Sequence, residues 1–384
     1  MTLFFLIFSL LALGFYSYSI YASLSFFSIP ALTQSKYCPP ISILKPICGL
    51  DRDSYEKLSS FCQQDYPVYQ IIFGVRDSED SAIPVLRKII ADFPHVDIRL
   101  AINDRVIGNN LKVSNLANIV PYARYDLLLI SDSDIRVGKD YLKHIVQPFQ
   151  DLQTGVVTCL YRSRAYGLIA TLEALSISTD FHAGVLAARQ LGWMKFAMGS
   201  SILIRKSVLQ KIGGFEAIAD YLADDFMLGN LPVQAGYRVV LSDYVVEHAL
   251  DTQTLTDLIQ HQTRWNRCTR ASNFGGYLGL IFSHGVAMSL LFLLFSQGSV
   301  LGWAVLALVW SMRVLMGWVV GVHCLQDEVA AQWLWLIPLR DLLSFGLWCY
   351  GLMGDRIVWR GQQFRLGKDG KLLPLNPPSL PQLT

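Results

Sequence analysis

Apolar and polar positions divide the chain into three regimes. Residues 3–27 form an apolar run without one charged side chain. That run is long enough to cross a bilayer as a helix. A cleaved signal peptide fits worse, because no basic flank precedes the run and the run is too long. From Ile41 the pattern changes to short apolar runs separated by segments with helical spacing. Ile41–Pro46 reads as a strand, Asp53–Gln63 as a helix broken at Asp65-Tyr-Pro67, and Val68–Val75 as a second strand. Ala82–Phe93 reads as a helix stopped by Pro94, Val96–Ile102 as a strand, Asn110–Ile119 as a helix and Asp126–Ser131 as a fourth strand. Strands alternating with helices predict a doubly wound, mainly parallel α/β sheet.

The third regime begins at Ala271. No Asp, Glu, Lys or Arg occurs from there to Met312, a stretch of 42 residues. Two spans fit, turning at Ser296-Gln-Gly-Ser299. A further apolar stretch, 331–354, contains Pro338, Arg340 and Asp341. A charged pair at mid-membrane is costly, so a broken or re-entrant helix is expected there. Lys36 and Lys45 follow the first span, and Arg356, Arg360, Arg365, Lys368 and Lys371 crowd the end of the chain. The positive-inside rule places both flanks in the cytosol. The expected organisation is an anchor over 1–35, a cytosolic catalytic domain over 36–270, a membrane region over 271–355 and a basic tail over 356–384.

Composition agrees with a multi-pass membrane protein. Hydrophobic residues make up 52% of the chain and charged residues 16%, greasier than an ordinary soluble domain. A net charge of +2 with no lysine–arginine block gives no case for nucleic acid. The seven cysteines (38, 48, 62, 159, 268, 324, 349) form no C-x-x-C pair, which argues against a zinc site or a disulfide framework. The glycine signatures of dehydrogenases and P-loop enzymes are missing, as is the G-x-S-x-G elbow of serine hydrolases.

The chemistry concentrates where strands end. The run Asp126-Leu-Leu-Leu-Ile-Ser-Asp132-Ser-Asp134 delivers two carboxylates to the end of the fourth strand. Two hard oxygen ligands there suit a Mg²⁺ or Mn²⁺ that also carries a diphosphate; a solvated turn after a core strand is the plainer reading. Asp51 and Asp77 also follow strands, and doubly wound sheets bind ligands at those ends. Ala223-Asp224-Asp225-Phe226 opens a new helix after Gly213-Gly214, so the pair is either a cap or holds a general base. His261-Gln-Thr-Arg264-Trp265-Asn-Arg267 lies just before the membrane region. Its Arg264, Trp265 and Arg267 could grip a diphosphate or form an interfacial collar. Leu168, Ile169, Leu172 and Leu175 have helical spacing and face either the bilayer or a core.

Taken in order, Asp77, Asp132-Ser-Asp134, Asp225 and His261-Gln-Thr-Arg264-Trp265 resemble the D, D-x-D, D, Q-x-x-R-W series of inverting GT-A glycosyltransferases. Ile43-Leu-Lys45-Pro46-Ile-Cys-Gly49-Leu-Asp51, Lys112-Val-Ser-Asn115-Leu, Ser131-Asp132-Ser-Asp134-Ile-Arg136-Val and Gly199-Ser-Ser narrow the resemblance to the ceramide glucosyltransferase family. The Asp-Ser-Asp form and Val157-Thr-Cys-Leu-Tyr161-Arg162 resemble its bacterial branch associated with hopanoid biosynthesis. The resemblance implies a GT-A fold, a UDP-sugar donor carrying glucose or N-acetylglucosamine, a divalent metal, and a membrane-lipid acceptor such as ceramide or a polyol hopanoid. The bacterial branch implies the inner membrane. By the same resemblance Asp51 and Asp77 would meet the uracil and ribose, and Lys45, Lys112 and Asn115 the nucleotide or its phosphates. Asp132 and Asp134 would hold the metal, Asp225 would be the base, and Arg264 and Trp265 would face the leaving diphosphate. His182 matches a family histidine near the site, and is equally readable as a structural residue. His261 departs from the pattern, which usually has Gln or Arg at that position. A processive polysaccharide synthase of the cellulose, chitin or hyaluronan type shares these motifs, and a non-catalytic membrane scaffold is the rival from another class.

Overall fold

The computed structural model describes residues 1–29, 37–252, 254–359 and 361–375. Lys36, Arg360 and the end of the tail, invoked above for topology, lie outside the described residues.

All four predicted strands form, within a residue or two of the expected bounds. They are β1 (Ile41–Ile47), β2 (Tyr69–Val75), β3 (Asp97–Ile102) and β4 (Leu127–Ile130). They pair parallel in the order β3-β2-β1-β4. Four more strands extend the sheet: β5 (Ile135–Arg136), β6 (Thr154–Ala165), β7 (Ile202–Arg205) and β8 (Arg238–Leu250). The full order is β3-β2-β1-β4-β7-β6-β8-β5. Here β7 runs antiparallel to both β4 and β6, while β6 and β8 pair parallel. Strands β1, β2 and β4 are buried on both faces, which explains why they read as continuous apolar runs rather than alternating ones. One core holds Ile41, Ile43, Phe61, Phe73 and Phe149; the other holds Leu44, Ile72, Leu116, Leu128 and Phe215.

The membrane region differs in detail from the expectation. Helix Thr2–Phe27 and the straight run Val300–Cys324 are each long and apolar enough to cross a membrane. Between them, Phe274–Ser283 and Gly285–Phe295 form a pair bent by 61° rather than one straight span. Tyr16 reaches from the first helix into that break. Its hydroxyl donates to Ser283 O (2.8 Å) and accepts from Gly285 N (3.0 Å). A side chain that satisfies both freed backbone groups makes a break tolerable at membrane depth. The expected turn at 296–299 forms, with Gln297 and Gly298 at positive φ.

The 331–354 stretch is interrupted at Leu334–Leu336, just before Pro338 enters the first turn of helix Ile337–Gly351. Arg340 and Asp341, neighbours in the sequence, take separate partners. Asp341 takes the buried Arg313 of the neighbouring helix (2.9 Å), which also donates to Thr179 O (3.2 Å). Arg340 donates instead to Leu172 O (2.9 Å) and Gln262 Oε1 (3.0 Å). Consecutive residues on a helix point about 100° apart, so each seeks its own neighbour.

Part of the tail is folded. Residues β9 (Arg356–Trp359), β10 (Gln362–Leu366) and β11 (Leu372–Pro374) form a small antiparallel sheet. Ile357, Phe364, Leu366 and Leu372 bury against Leu222, and Leu372 N donates to Asp220 O (2.8 Å). That contact braces the loop leading to Asp224-Asp225. Leu172 and Leu175 are core against Leu258, Ala330 and Leu336, while Leu168 at the end of the stripe is exposed.

Removing one partner from a buried ion pair strands a charge, whereas replacing both with apolar groups does not. Asp341→Leu should lower stability by about 3–5 kcal/mol, and the Arg313→Met/Asp341→Leu double variant should recover most of it. Thermal unfolding in detergent checks both.

Candidate active site

Asp132 leaves the end of β4 and meets Lys112, whose ammonium stands 2.7 Å from Asp132 Oδ1 and 3.1 Å from Asp224 Oδ2. Lys112 sits in the first turn of helix Leu111–Ile119, capped by Asn110, which accepts from Lys112 N and Val113 N. Burial works against charge on Lys112, but Asp132 and Asp224 outweigh it and hold its pKa above the ordinary lysine value. Gly199 lies among these groups. A Cβ there would stand 3.1 Å from Asp132 Oδ2 and 3.5 Å from both Asp225 Oδ2 and Lys112 Nζ.

The Asp224-Asp225 pair divides its work. Asp224 is buried and spent on Lys112. Asp225, half-buried, accepts from Phe226 N (2.8 Å) and Gly199 N (3.2 Å). Burial, then the neighbouring Asp224 carboxylate, push its pKa up to about 6.

Asp134 turns the other way. Its Oδ2 lies 3.2 Å from His248 Nε2 on β8, and its Oδ1 is buried with no hydrogen-bond partner. Burial would raise its pKa, but His248, followed by Lys45 and Lys57, brings it down to about 2. His248 rises in turn, because Asp134 outweighs its burial. Lys45, buried, donates to Asp132 O (2.5 Å), and its ammonium lies 4.0 Å from the centre of the Phe61 ring. Burial lowers it to about 7 against the pull of Asp134 and Asp132. Among the described residues no three His, Cys, Asp or Glu side chains form a ready metal cage. An unpaired carboxylate oxygen beside an imidazole, with a second carboxylate two residues away, still fits a divalent cation whose remaining ligands arrive with a diphosphate.

Two hollows flank these groups. A groove of about 590 Å³ at the ends of β2 and β3 is lined by Arg76, Asp77, Ser78, Ile102, Asn103 and Asp104. A cavity of about 220 Å³ touches Asp134 and His248, with Lys57, Arg136 and Arg164 in its wall. Asp51 accepts from Ser133 Oγ (3.3 Å), which joins the β1 end to the Asp-Ser-Asp turn.

Several predicted residues take other places. Asn115 lies beneath the strand ends, where its Nδ2 donates to Gly74 O (2.8 Å) and Ile47 O (3.3 Å). It ties β1 to β2 instead of facing a nucleotide. Arg267 is buried and donates to Met353 O (2.9 Å) and Arg356 O, so it is not part of a diphosphate grip. His182 contacts Tyr161 O (2.6 Å), and its ring stands 4.6 Å from the Tyr161 ring, with Tyr161 between it and His248. Burial lowers its pKa to about 3, which keeps it neutral. Arg264 and Trp265 lie on helix Leu255–Ser272. Trp265 lies against His261 with ring centres 4.3 Å apart and planes tilted by 47°, and Arg264 and Asp225 both act electrostatically on the Cys268 thiol. His248 and Lys57 were not singled out from the sequence. An isolated His inside a long strand and a Lys in a short helix carry no spacing signal; only the fold brings them to Asp134.

A mixed sheet with its carboxylates gathered at the ends of the parallel strands is the GT-A arrangement. It matches the fold of "Mannosyltransferase PcManGT from Pyrobaculum calidifontis in complex with GDP-Man and Mn2+" with a TM-score of 0.51 at 15% identity, covering 90% of this chain and 99% of that one. The chain belongs to glycosyl transferase family 21, whose model matches residues 4–372. Ceramide glucosyltransferase 3 of Caenorhabditis elegans is 25% identical over 367 residues, 90% of this chain and 79% of that protein. Ceramide glucosyltransferase 1 of the same organism is 28% identical over 229 residues, 59% of this chain and about half, 49%, of that protein's length. Ceramide glucosyltransferase of Komagataella phaffii is 22% identical, covering 86% of this chain and 82% of that protein.

Gly199→Ala should press on Asp132, whose Oδ2 would stand 3.1 Å from the new Cβ, without touching either core. A displacement of about 1 Å near reacting groups costs about 100-fold in rate, and a smaller shift costs less. Transfer should fall by up to about 10-fold while the melting temperature stays at the wild-type value.

Proposed function

We propose that this protein is a membrane-bound inverting glycosyltransferase that moves one hexose, glucose or N-acetylglucosamine, from a UDP-sugar to a hydroxyl of a membrane lipid. The observation that carries this is the gathering of Asp132, Asp225 and Lys112 around Gly199, with Asp134 and His248 beside them. Ceramide glucosyltransferase relatives favour a sphingolipid or similarly polyhydroxylated acceptor, including a hopanoid. The apolar helices on both sides of the catalytic domain suit an acceptor that arrives from the bilayer.

In this reading the nucleoside lies in the groove beside Asp77, and Asp51, joined to the Asp-Ser-Asp turn through Ser133, also meets it. Asp134 and His248, with Asp132 two residues before Asp134, would hold a Mg²⁺ or Mn²⁺, which when bound would neutralise charge on the diphosphate. Lys112 anchors Asp132 on the acceptor side, and Lys45 supports the turn from below. Arg264 faces the leaving diphosphate and Trp265 shapes the acceptor mouth. His182 orients Tyr161 behind His248. Asp225 accepts the proton of the acceptor hydroxyl as that oxygen bonds to the anomeric carbon. The bond from that carbon to the diphosphate oxygen breaks with its electrons, and UDP leaves. One displacement inverts the centre, so an α-linked donor yields a β-linked product. Asp225 rather than Asp224 takes this role because Asp224 is held by Lys112. Domain placement follows the same reading: residues 36–270 and the folded tail on the cytosolic side, with the remaining helices in the membrane.

Two outcomes test this. Asp225→Ala and Asp134→Ala should each abolish transfer in a UDP-release assay with lipid and Mn²⁺; near wild-type turnover by D225A would remove Asp225 from the mechanism. A base works only when deprotonated, so kcat/KM should fall as pH drops through about 6, where Asp225 takes up its proton. A flat profile between pH 7 and about pH 5 would contradict that assignment.

A further inference from the structure

Glu173 is a fully buried carboxylate that the transfer chemistry does not use. It sits on helix Leu168–Ser176 and has three partners: His261 Nδ1 at 2.6 Å, Thr252 Oγ1 at 2.6 Å and Gln262 Nε2 at 3.4 Å. Two of the three belong to the helix that carries Arg264 and Trp265. Residues three and four apart share one helix face, so His261, Arg264, Trp265 and Cys268 form a single stripe. Glu173 holds one end of that stripe. At the other end, the Cys268 thiol is under the influence of Asp225. His261 and Trp265 are in ring contact at 4.3 Å, so a shift of one moves the other. From the membrane side, Arg340 donates both to Leu172 O (2.9 Å), next to Glu173, and to Gln262 Oε1 (3.0 Å), next to His261.

An apolar contact would hold two helices together at least as well as a buried ion pair. What a directional buried pair adds is one rotation and one register. The pattern resembled by this segment has Gln or Arg where His261 stands. All three side chains can donate a hydrogen bond to a carboxylate.

We propose that Glu173 is a positioning residue for glycosyl transfer: through His261 it fixes the rotation of helix Leu255–Ser272 and thereby sets Arg264 and Trp265 relative to Asp225. The proposal rests on the reading that Arg264 faces the leaving diphosphate. Arg340 extends the brace into the membrane helices, so the packing of helix Ile337–Gly351 bears on the same rotation.

The test uses the full-length protein in lipid nanodiscs with UDP-glucose and ceramide. Glu173→Gln, His261→Ala and His261→Arg are compared for kcat, KM, UDP affinity and melting temperature, each also in an Arg264→Ala background. Glu173→Gln and His261→Ala should each lower kcat by about 10–100-fold, the range expected for a misplacement of an ångström or less, with UDP affinity near wild type. His261→Arg, which still donates to Glu173, should restore most of the rate. In the Arg264→Ala background Glu173→Gln and His261→Ala should each cost clearly less than in the wild type, because one of the two groups they position is gone. A wild-type kcat for Glu173→Gln, losses that add fully to that of Arg264→Ala, or a His261→Arg protein as slow as His261→Ala would each overturn the proposal while the transferase reading stands. If Glu173→Gln fails to fold, the half-exposed His261 pair decides by the same criteria. A wild-type protein that turns over neither UDP-glucose nor UDP-N-acetylglucosamine would overturn the transferase reading, and this proposal with it.

Discussion

Lys112 is the residue on which the site depends. Its ammonium lies between Asp132 at the end of β4 and Asp224 at the start of helix Asp224–Gln234. Asp224 is buried and Asp132 is partly so, and without a cation between them the two carboxylates would repel. Holding both lets three separate parts of the chain converge within reach of Gly199, where any side chain would intrude. It also assigns roles. Asp224 is spent on the ammonium, Asp132 is tethered, and burial with the Asp224 charge leaves Asp225 with a pKa raised to about 6. Asp134, pointing away to His248, belongs to a second electrostatic centre. The two centres are joined through the Asp132-Ser-Asp134 turn and Lys45 beneath it.

The membrane helices do more than anchor the chain. Arg313, Arg340 and Asp341 are buried, and their partners lie partly outside the apolar helices, on residues 172–179 and on Gln262. Residues 177–181 wind more loosely than an α-helix, which changes the phase of the backbone between Glu173 and His182. Such a bulge often marks a functional segment. Here it lets Thr179 turn its carbonyl to Arg313 while His182 turns to Tyr161. Charged groups that would be costly in lipid are used to weld the catalytic domain to the bilayer-spanning part.

Much of the first half of the sheet was legible in the sequence, because each strand there is short, apolar and bounded by Gly, Pro or Asp. The order of β5 to β8 was not. Strand β8 is only partly buried along most of its length and carries Asp243, Glu247 and His248, so it lacks the signature of a core strand. Asp51, Asp77, Asp132 and Asp134 were visible because they follow strands, and Asp225 because it opens a helix after Gly213-Gly214. Lys57, His248 and Glu173 were not, because their partners are distant in sequence: Asp134 is 114 residues from His248, and Gln262 is 89 from Glu173. Asn115 and Arg267 misled for the opposite reason. Each stands in a motif beside reactive residues, but backbone carbonyls of Ile47, Gly74 and Met353 claim them. The bend at His284 also left no mark in composition, since what permits it is Tyr16, 269 residues from the Gly285 N–H it accepts.

The most direct test of the account is the mass of the product. The protein in lipid nanodiscs, given UDP-glucose or UDP-N-acetylglucosamine and a lipid extract, should yield a lipid heavier by one sugar residue, with β configuration and one UDP released per transfer. A ladder of polymer masses, or UDP release with no glycosylated lipid, would contradict it.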